Sequence, residues 1–130
     1  MSKAIETNSA PAAIGPYSQA IDDGETVYCS GQIGLEPASG RLVEGGVEAE
    51  MRHAMANLRA VLDAAGLGFD AIVKTTIYVT DLADFEIVNR IYGEHFEPPY
   101  PARATVQVAA LPRGARVEID AVARRPRDRR

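Results

Sequence analysis

The sequence predicts an α+β domain in which one mixed β-sheet carries two helices on one face. The chain has 130 residues, 46% of them apolar and 25% charged, which suits one domain with its own core. Two segments repeat apolar residues at helical spacing, and short β-branched segments surround them in the order β-β-(β)-α-β-α-β-β. Strand–helix–strand crossovers combined with hairpins place both helices on the same side of the sheet.

The first part of the chain predicts two or three short strands. Residues 4–7 form a possible strand, and residues 8–16 are a loop because they contain two prolines and a glycine. Residues 17–22 and 26–31 are predicted strands on either side of an Asp-Gly turn, which is a strong hairpin signal. We therefore expect an antiparallel hairpin ahead of the first helix.

The segment over residues 47–65 is the clearest predicted helix. Its apolar side chains recur at spacings of three and four, and Gly66 follows as a natural stop. A glycine-rich connection at residues 36–46, with a possible short strand at 41–43, precedes this helix. The residues on the apolar face are Val47, Met51, Ala54, Leu58, Val61, Leu62 and Ala65.

The second half of the chain predicts a strand, a helix and two further strands. Residues 71–79 are β-branched and are predicted to form a buried strand. Asp81 or Asp84 caps a second helix that extends to residue 96, before a run of prolines. Residues 104–110 and 116–123 are predicted strands, joined by the turn Leu-Pro-Arg-Gly-Ala. The inward residues of the second helix are Phe85, Val88, Ile91 and Tyr92.

The net charge of −4 is unevenly distributed, because residues 124–130 contain five arginines and one aspartate. The acidic remainder is unsuited to a dedicated nucleic-acid-binding protein, which needs a basic face. We predict a single domain over residues 1–123 and a basic, disordered tail over residues 124–130. A nucleic acid is not an expected partner.

Several kinds of signal are missing from the sequence. It contains no apolar run long enough for a membrane span and no apolar N-terminal segment typical of a signal peptide. The single cysteine, Cys29, forms no internal disulfide, and these features favour the cytoplasm. Phosphate-loop and dinucleotide motifs are missing, and neither His53 nor His95 has a metal-binding residue at i+4. We expect no metal, no cofactor and no membrane partner.

Charged residues near the C-terminus are the strongest candidates for a site. Glu118 and Asp120 alternate with apolar residues, so both carboxylates lie on the sheet face opposite the helices. We expect that face to be buried against another subunit, where a carboxylate is costly unless it is paired or used. Arg103 stands at a strand entrance, where its guanidinium can fork onto a carboxylate. Taken alone, these residues also suit an interface salt bridge.

The last two strands are predicted to form a hairpin in which residue 110 pairs with residue 116. In that register, Arg103 and Glu118 lie five positions apart along the sheet, which is roughly 16 Å. They would not share a small-molecule site within one subunit, but they can share one across a subunit interface. We therefore expect a homo-oligomer in which the uncovered sheet faces pack inward.

Five segments carry a more specific pattern. They are A-P-A-A-I-G-P-Y-S-Q-A at 10–20, Y-C-S-G-Q-I-G at 28–34, A-I-V-K-T-T-I-Y-V-T-D-L-A-D-F at 71–85, V-N at 88–89, and Y-P-A-R-A-T-V-Q-V-A-A-L-P-R-G-A-R-V-E-I-D-A-V-A at 100–123. Together they resemble the RidA (YjgF/YER057c/UK-type) family of reactive-intermediate deaminases, from about residue 3 to residue 124. The most specific feature is Pro-x-Arg followed, fifteen residues after the arginine, by a glutamate in a strand.

The resemblance implies a chorismate-mutase-like α+β fold that assembles as a homotrimer, with three sites in the clefts between subunits. It implies hydrolysis of 2-iminobutanoate and 2-iminopropanoate, or of their enamine tautomers, to 2-oxo acids and ammonia. It implies no cofactor and no metal. These imino acids are products of pyridoxal-phosphate-dependent threonine and serine dehydratases.

The resemblance also implies roles for individual residues. Arg103 matches the arginine that binds the substrate carboxylate, and Glu118 matches the glutamate that orients water. Burial raises the pKa of such a glutamate and a nearby arginine lowers it, and the sequence leaves open which effect prevails. Thr105 stands where many family members have cysteine. The other matching positions are Tyr17, Ser30 and Gly31, which line the cleft from the neighbouring subunit, and Asn89 near the site.

Two other functions stay open at this stage. Some relatives have been described as endoribonucleases that inhibit translation, and here only the basic tail offers a track for RNA. A non-catalytic regulatory or chaperone-like protein could use the same cleft to bind 2-oxo acids or a partner protein. Removal of residues 124–130 would abolish the effects of an RNA-binding protein, whereas a non-catalytic binder would show binding without turnover.

Overall fold

The computed structural model of the chain describes residues 2–126. These residues form the predicted α+β fold, with one six-stranded mixed sheet and two α-helices. Short 3-10 turns precede β4 and α2 and connect β5 to β6. The elements in chain order are β1 (Lys3–Ile5), β2 (Ala20–Asp22), β3 (Thr26–Gln32), α1 (Gly46–Ala64), β4 (Ile72–Val79), α2 (Phe85–Gly93), β5 (Ala102–Gln107) and β6 (Val117–Arg124).

The strands follow the order β1-β2-β3-β6-β4-β5 across the sheet, with β4 and β5 parallel and every other neighbouring pair antiparallel. The predicted hairpin of the last two strands is therefore wrong, because β4 lies between them. The connection from β5 to β6 passes around the end of β4. On one side the Val108 amide donates to the Val79 carbonyl at 2.8 Å, and on the other the Thr80 amide donates to the Arg116 carbonyl at 3.1 Å.

Helix α1 covers the centre of the sheet with the predicted apolar stripe. Its ends lie one residue before the predicted ones, and the amide of Leu67 donates to the Leu62 carbonyl at 2.9 Å to close the helix around Gly66. Gly66 has φ 77°, a conformation that glycine adopts readily. The stripe packs on alternate residues of β6, namely Val117, Ile119, Ala121 and Ala123, all 2% exposed or less.

Helix α2 ends at Gly93, three residues before the predicted end. The amides of Glu94 and His95 still bond to α2 carbonyls at 3.1 Å, but prolines follow and do not allow the helix to continue. Asp81 caps the 3-10 turn that leads into α2, since its carboxylate accepts from the Ala83 amide at 2.9 Å, whereas Asp84, the N-cap residue of α2, makes no side-chain cap hydrogen bond.

Other elements differ from the prediction only in their extent. Residues 17–19 are loop, because β2 begins at Ala20. The possible strand at 41–43 is a single bridge between Leu35 and Leu42. Within residues 2–126, neither helix combines the length and apolar character required to traverse a bilayer.

The C-terminal segment differs from the predicted tail at its first residues. Arg124 is the last residue of β6, and the Arg125 guanidinium binds the buried carboxylate of Asp22 at 2.6 Å and the Ala65 carbonyl at 2.8 Å. These two arginines therefore belong to the sheet and its surroundings. Residues 127–130 of the predicted tail lie outside the described residues.

The sheet face away from the helices is here called the open face. By strand register it carries side chains of the four strands β3, β6, β4 and β5. Tyr28 and Val106 are 51% and 41% exposed there, large values for apolar residues in a sheet. The residues of the open face used below are Tyr28, Tyr78, Val106, Glu118 and Asp120.

Candidate active site

Arg103 lies on the helix side of β5, against α2. Its Nη1 atom donates to Oδ1 of Asn89 at 2.8 Å. Its guanidinium carbon lies 4.9 Å from the ring centre of Tyr92 and 5.6 Å from that of Phe85. These distances fit cation–π contacts, so three side chains of one helix hold the guanidinium in place.

No carboxylate within residues 2–126 forms an ion pair with Arg103. Its contacts are instead a neutral amide and two aromatic faces, which leave the charge available to an external anion. The guanidinium borders an open recess of about 480 Å³, whose wall includes Asn89, Tyr92 and Tyr100. This recess can hold the carboxylate of a small molecule.

The Tyr92 ring beneath Arg103 is itself fixed. Its hydroxyl pairs with Oγ1 of Thr75 at 2.8 Å, and both residues are buried. Burial raises the pKa of Tyr92, so the phenol stays neutral and keeps its hydrogen bond. A buried hydrogen bond to Thr75 on β4 thus fixes the Tyr92 ring, and this ring in turn holds the Arg103 guanidinium.

Glu118 lies on β6 at the open face and faces a different cleft. That cleft has a volume of about 290 Å³ and is lined by the loop residues Ile14 and Tyr17 as well as by Gly31 and Glu118. The Glu118 carboxylate rests directly over Gly31, where an added Cβ would clash with the carboxylate and lie only 2.8 Å from Cδ. The absence of a side chain at residue 31 therefore leaves the space that the carboxylate occupies.

The surroundings of Glu118 raise its pKa. Burial is the larger cause, and the negative charge of Asp120, two residues along the same face, is the second. Asp120 accepts a hydrogen bond from the Tyr78 hydroxyl at 2.9 Å, which raises the pKa of Tyr78 as well. A carboxylate whose pKa is raised toward neutrality is suited to accept and return a proton.

Arg103 and Glu118 do not meet within one chain. The register aligns Arg103 with Thr75 and Ala121, three positions along from Glu118 and two strands away. This separation is roughly 14 Å between Cα atoms, and the two side chains point to opposite faces of the sheet. Arg103 and Glu118 are thus apart within one chain, as expected, but by three positions and two strands rather than by the five positions of the predicted hairpin. Within one chain, Arg103 and Glu118 therefore border two separate recesses.

Three of the other predicted site residues lie at these two recesses. Tyr17 and Gly31 line the Glu118 cleft, and Asn89 holds Arg103. The Ser30 hydroxyl donates to the Ser18 carbonyl at 2.6 Å, so its proton is used within the protein. Thr105 follows Arg103 on the same face of β5, and its Oγ1 is buried with no hydrogen-bond partner among the described residues.

Sequence reasoning assigned Phe85 and Tyr92 to packing and missed their contact with Arg103. The signal was present, because Phe85, Asn89 and Tyr92 are spaced by four and three residues and so share one face of a helix. What the sequence could not indicate is that β5 pairs beside β4. That pairing brings Arg103 to this helix face.

Cys29 and His95 are packed within the protein. Burial raises the pKa of the Cys29 thiol to about 12, with the Asp120 charge as a second cause, so the thiol stays protonated. His95 stacks on Phe69 with ring centres 5.1 Å apart. Residues 2–126 contain no group of three or more His, Cys, Asp or Glu side chains arranged to hold a metal ion.

The chain is similar to known proteins over nearly its whole length. The family described as endoribonuclease L-PSP matches residues 7–125. The 2-iminobutanoate/2-iminopropanoate deaminase of Mus musculus is 56% identical over 121 residues, covering 93% of this chain and 90% of the mouse protein. That of Homo sapiens is 53% identical, covering 93% and 88%. The crystal structure of RidA from Psychrobacter sp. PAMC 21119 has a TM-score of 0.90 and 44% identity, covering 94% of this chain and 98% of that one.

Proposed function

Because the chain belongs to the endoribonuclease L-PSP (YjgF/RidA) family, we propose that it is an enzyme that hydrolyses 2-iminobutanoate and 2-iminopropanoate, or their enamine tautomers. Water adds to the C=N bond, and the products are a 2-oxo acid and ammonia. The observation that carries this proposal is the Arg103 guanidinium, which is held by Asn89 and two aromatic rings and has no carboxylate partner among residues 2–126. An imino acid brings the carboxylate that this guanidinium lacks.

The proposed mechanism begins with binding. Arg103 forks onto the substrate carboxylate and thereby fixes the position of the electrophilic carbon one bond away. The protonated imine is a strong electrophile, so a positioned water is a sufficient nucleophile. The rigid support of Arg103 lowers the cost of ordering the substrate.

Glu118 is the proposed proton carrier. Its carboxylate accepts a proton from the attacking water as the C–O bond forms and the C=N bond becomes single, giving a carbinolamine. It then returns the proton to nitrogen. As the C–N bond breaks and ammonia leaves, the same carboxylate accepts the hydroxyl proton, so that the C=O bond can form; this proton passes to ammonia, which departs as ammonium. The raised pKa of Glu118 supports this role, because a stronger base accepts the proton more readily.

We further propose that the complete site forms between subunits of a homotrimer, with Arg103 from one chain and Glu118 from its neighbour. Two features support this arrangement. Arg103 and Glu118 lie on opposite faces of the sheet. The open face presents the exposed Tyr28 and Val106 beside the carboxylates of Glu118 and Asp120. A head-to-tail interface brings two different surfaces together and closes into a ring. Cytoplasmic location belongs to the same proposal, and the single, buried Cys29 is compatible with it.

A coupled assay tests the activity. Threonine dehydratase generates 2-iminobutanoate, and semicarbazide traps the imine that survives. The wild-type protein should lower the amount of imine that is trapped. The activity of Arg103→Ala in this assay should be about 10- to 100-fold below that of wild type, since a charge-assisted hydrogen bond contributes about 1.5–3 kcal/mol.

Arg90→Ala is the matched control, because Arg90 lies on α2, the helix that holds Arg103, but pairs with the exposed Glu48 at 3.7 Å. It should behave as wild type. If the wild-type protein leaves trapping unchanged, the deaminase proposal is wrong. If Arg103→Ala is fully active, the carboxylate-binding role of Arg103 is wrong.

A further inference from the structure

A buried amide at residue 19 organises the loop that precedes β2. Gln19 is 3% exposed. Its Oε1 accepts from the Thr7 amide at 2.7 Å, and its Nε2 donates to the carbonyls of Thr7 at 3.1 Å and Pro11 at 2.8 Å. The Gln19 side chain thus binds two separate points, Thr7 and Pro11, that precede residues 12–17. Both its Oε1 and its Nε2 atoms are hydrogen-bonded.

A second tie holds the other end of the loop. The Ser30 hydroxyl donates to the Ser18 carbonyl at 2.6 Å, and the Ser30 amide donates to the Gln19 carbonyl at 2.9 Å. In the part of the chain that the structure describes, the hydrogen bonds of residues 12–17 are internal to that segment. Hydrogen bonds therefore connect this segment to the rest of residues 2–126 through the residues at its two ends.

The same segment forms one wall of the Glu118 cleft. Ile14 and Tyr17 line that cleft and are 69% and 54% exposed, so packing within the chain contributes little to fixing them. Their position depends on the ties at the two ends of the segment. The Gln19 side chain makes three of these hydrogen bonds, and Ser30 makes two.

We propose that Gln19 is a positioning residue for the deamination reaction, acting through the loop that carries Tyr17. This inference rests on the proposed function and deepens it. Gln19 does not reach the cleft with a free polar atom. It holds Thr7 and Pro11, and thereby sets where the Tyr17 ring stands relative to the Glu118 carboxylate. Because small displacements of a positioning group cost large factors in rate, loss of the amide should reduce turnover.

A double-mutant cycle tests whether Gln19 acts through Tyr17. Gln19→Met keeps the length of the side chain and removes its hydrogen bonds. It should lower kcat/KM for 2-iminobutanoate about 10- to 100-fold. In the Tyr17→Ala background, the same change should lower kcat/KM less than about 2-fold, because the ring that it positions is already gone.

Asp22→Asn is the matched control for stability. Asp22 is a buried polar residue at the other end of β2, bonded to Arg125 away from the cleft. The Asp22→Asn variant should have a lower Tm than wild type, with little change in kcat/KM. A full loss of activity from Gln19→Met in both backgrounds overturns the inference, as does unchanged kcat/KM in a folded Gln19→Met protein.

A fluorescent reporter separates this inference from the activity itself. The chain has no tryptophan, so Tyr17→Trp introduces a single one. Adding Gln19→Met should lower the anisotropy of this tryptophan and increase its quenching by acrylamide. If the wild-type protein fails to hydrolyse the imine, the proposed function fails, while an unchanged anisotropy separately overturns the loop-positioning role of Gln19.

Discussion

Arg103 and Glu118 carry opposite charges in opposite surroundings. The arginine is exposed and braced by an amide and two rings, whereas the glutamate is half-buried beside a second carboxylate. The types of these residues and their separation could be predicted from the sequence. The bracing of Arg103 and the raised pKa of Glu118 could not, because both depend on contacts between segments far apart in the chain.

Asp120 should set the pH range of activity through Glu118. Its negative charge raises the pKa of Glu118, so Asp120→Asn should lower that pKa. In the proposed mechanism, activity requires the deprotonated glutamate and is lost as pH falls through its pKa. The acidic limb of the kcat/KM profile should therefore move to lower pH in Asp120→Asn and stay in place in Asp120→Glu. An acidic limb at the same pH in all three proteins would contradict this role.

Gly31 should be needed for the position of the Glu118 carboxylate. A methyl group at this residue would clash with the carboxylate, so Gly31→Ala forces Glu118 to move. We expect kcat/KM to fall about 10- to 100-fold with a small change in Tm. Gly68→Ala is the control, since an added Cβ there meets only the Asp70 carboxylate, at 3.1 Å. Equal activity of the two variants would show that Gly31 has no such role.

At the scale of elements, alternation and spacing predicted most strands and both helices. The error lay in the order of strands, because a short Pro-Gly connection suggested a hairpin between β5 and β6. The burial of β6 shows why this failed: its inward residues are almost completely covered, as expected for a central strand with a neighbour on each side. Strand order depends on long-range pairing that local patterns do not contain.

Helix α2 should support substrate binding through the ring of Tyr92. Tyr92→Phe keeps the aromatic face under Arg103 but leaves the Thr75 hydroxyl unpaired, so it should lower Tm and leave KM almost unchanged. Tyr92→Leu removes the ring as well. Because a cation–π contact contributes about 0.5–2 kcal/mol, KM should rise roughly 2- to 30-fold. Steady-state kinetics and thermal unfolding of both variants measure this split, and an equal KM for the two would refute it.

At the scale of the whole molecule, shared sites should allow two inactive variants to complement each other. Arg103→Ala and Glu118→Gln subunits, unfolded together and refolded as a 1:1 mixture, should regain about a quarter of wild-type activity, since a site is intact when each neighbour contributes its unaltered half. Each variant refolded alone should keep only its own low activity, which for Arg103→Ala is about 10- to 100-fold below wild type. No recovery in mixed oligomers would place both residues in a site of one chain.

The position of β6 has a consequence for synthesis of the protein. This strand lies in the middle of the sheet, between β3 and β4, yet in chain order it follows every other strand and helix of residues 2–126. Until it emerges, the nascent chain consists of a β1–β2–β3 piece and a β4–β5 piece that have no strand between them. Premature termination before residue 117 would leave two long unpaired strand edges, which favour aggregation. The sheet can therefore close only after β6 has been synthesised.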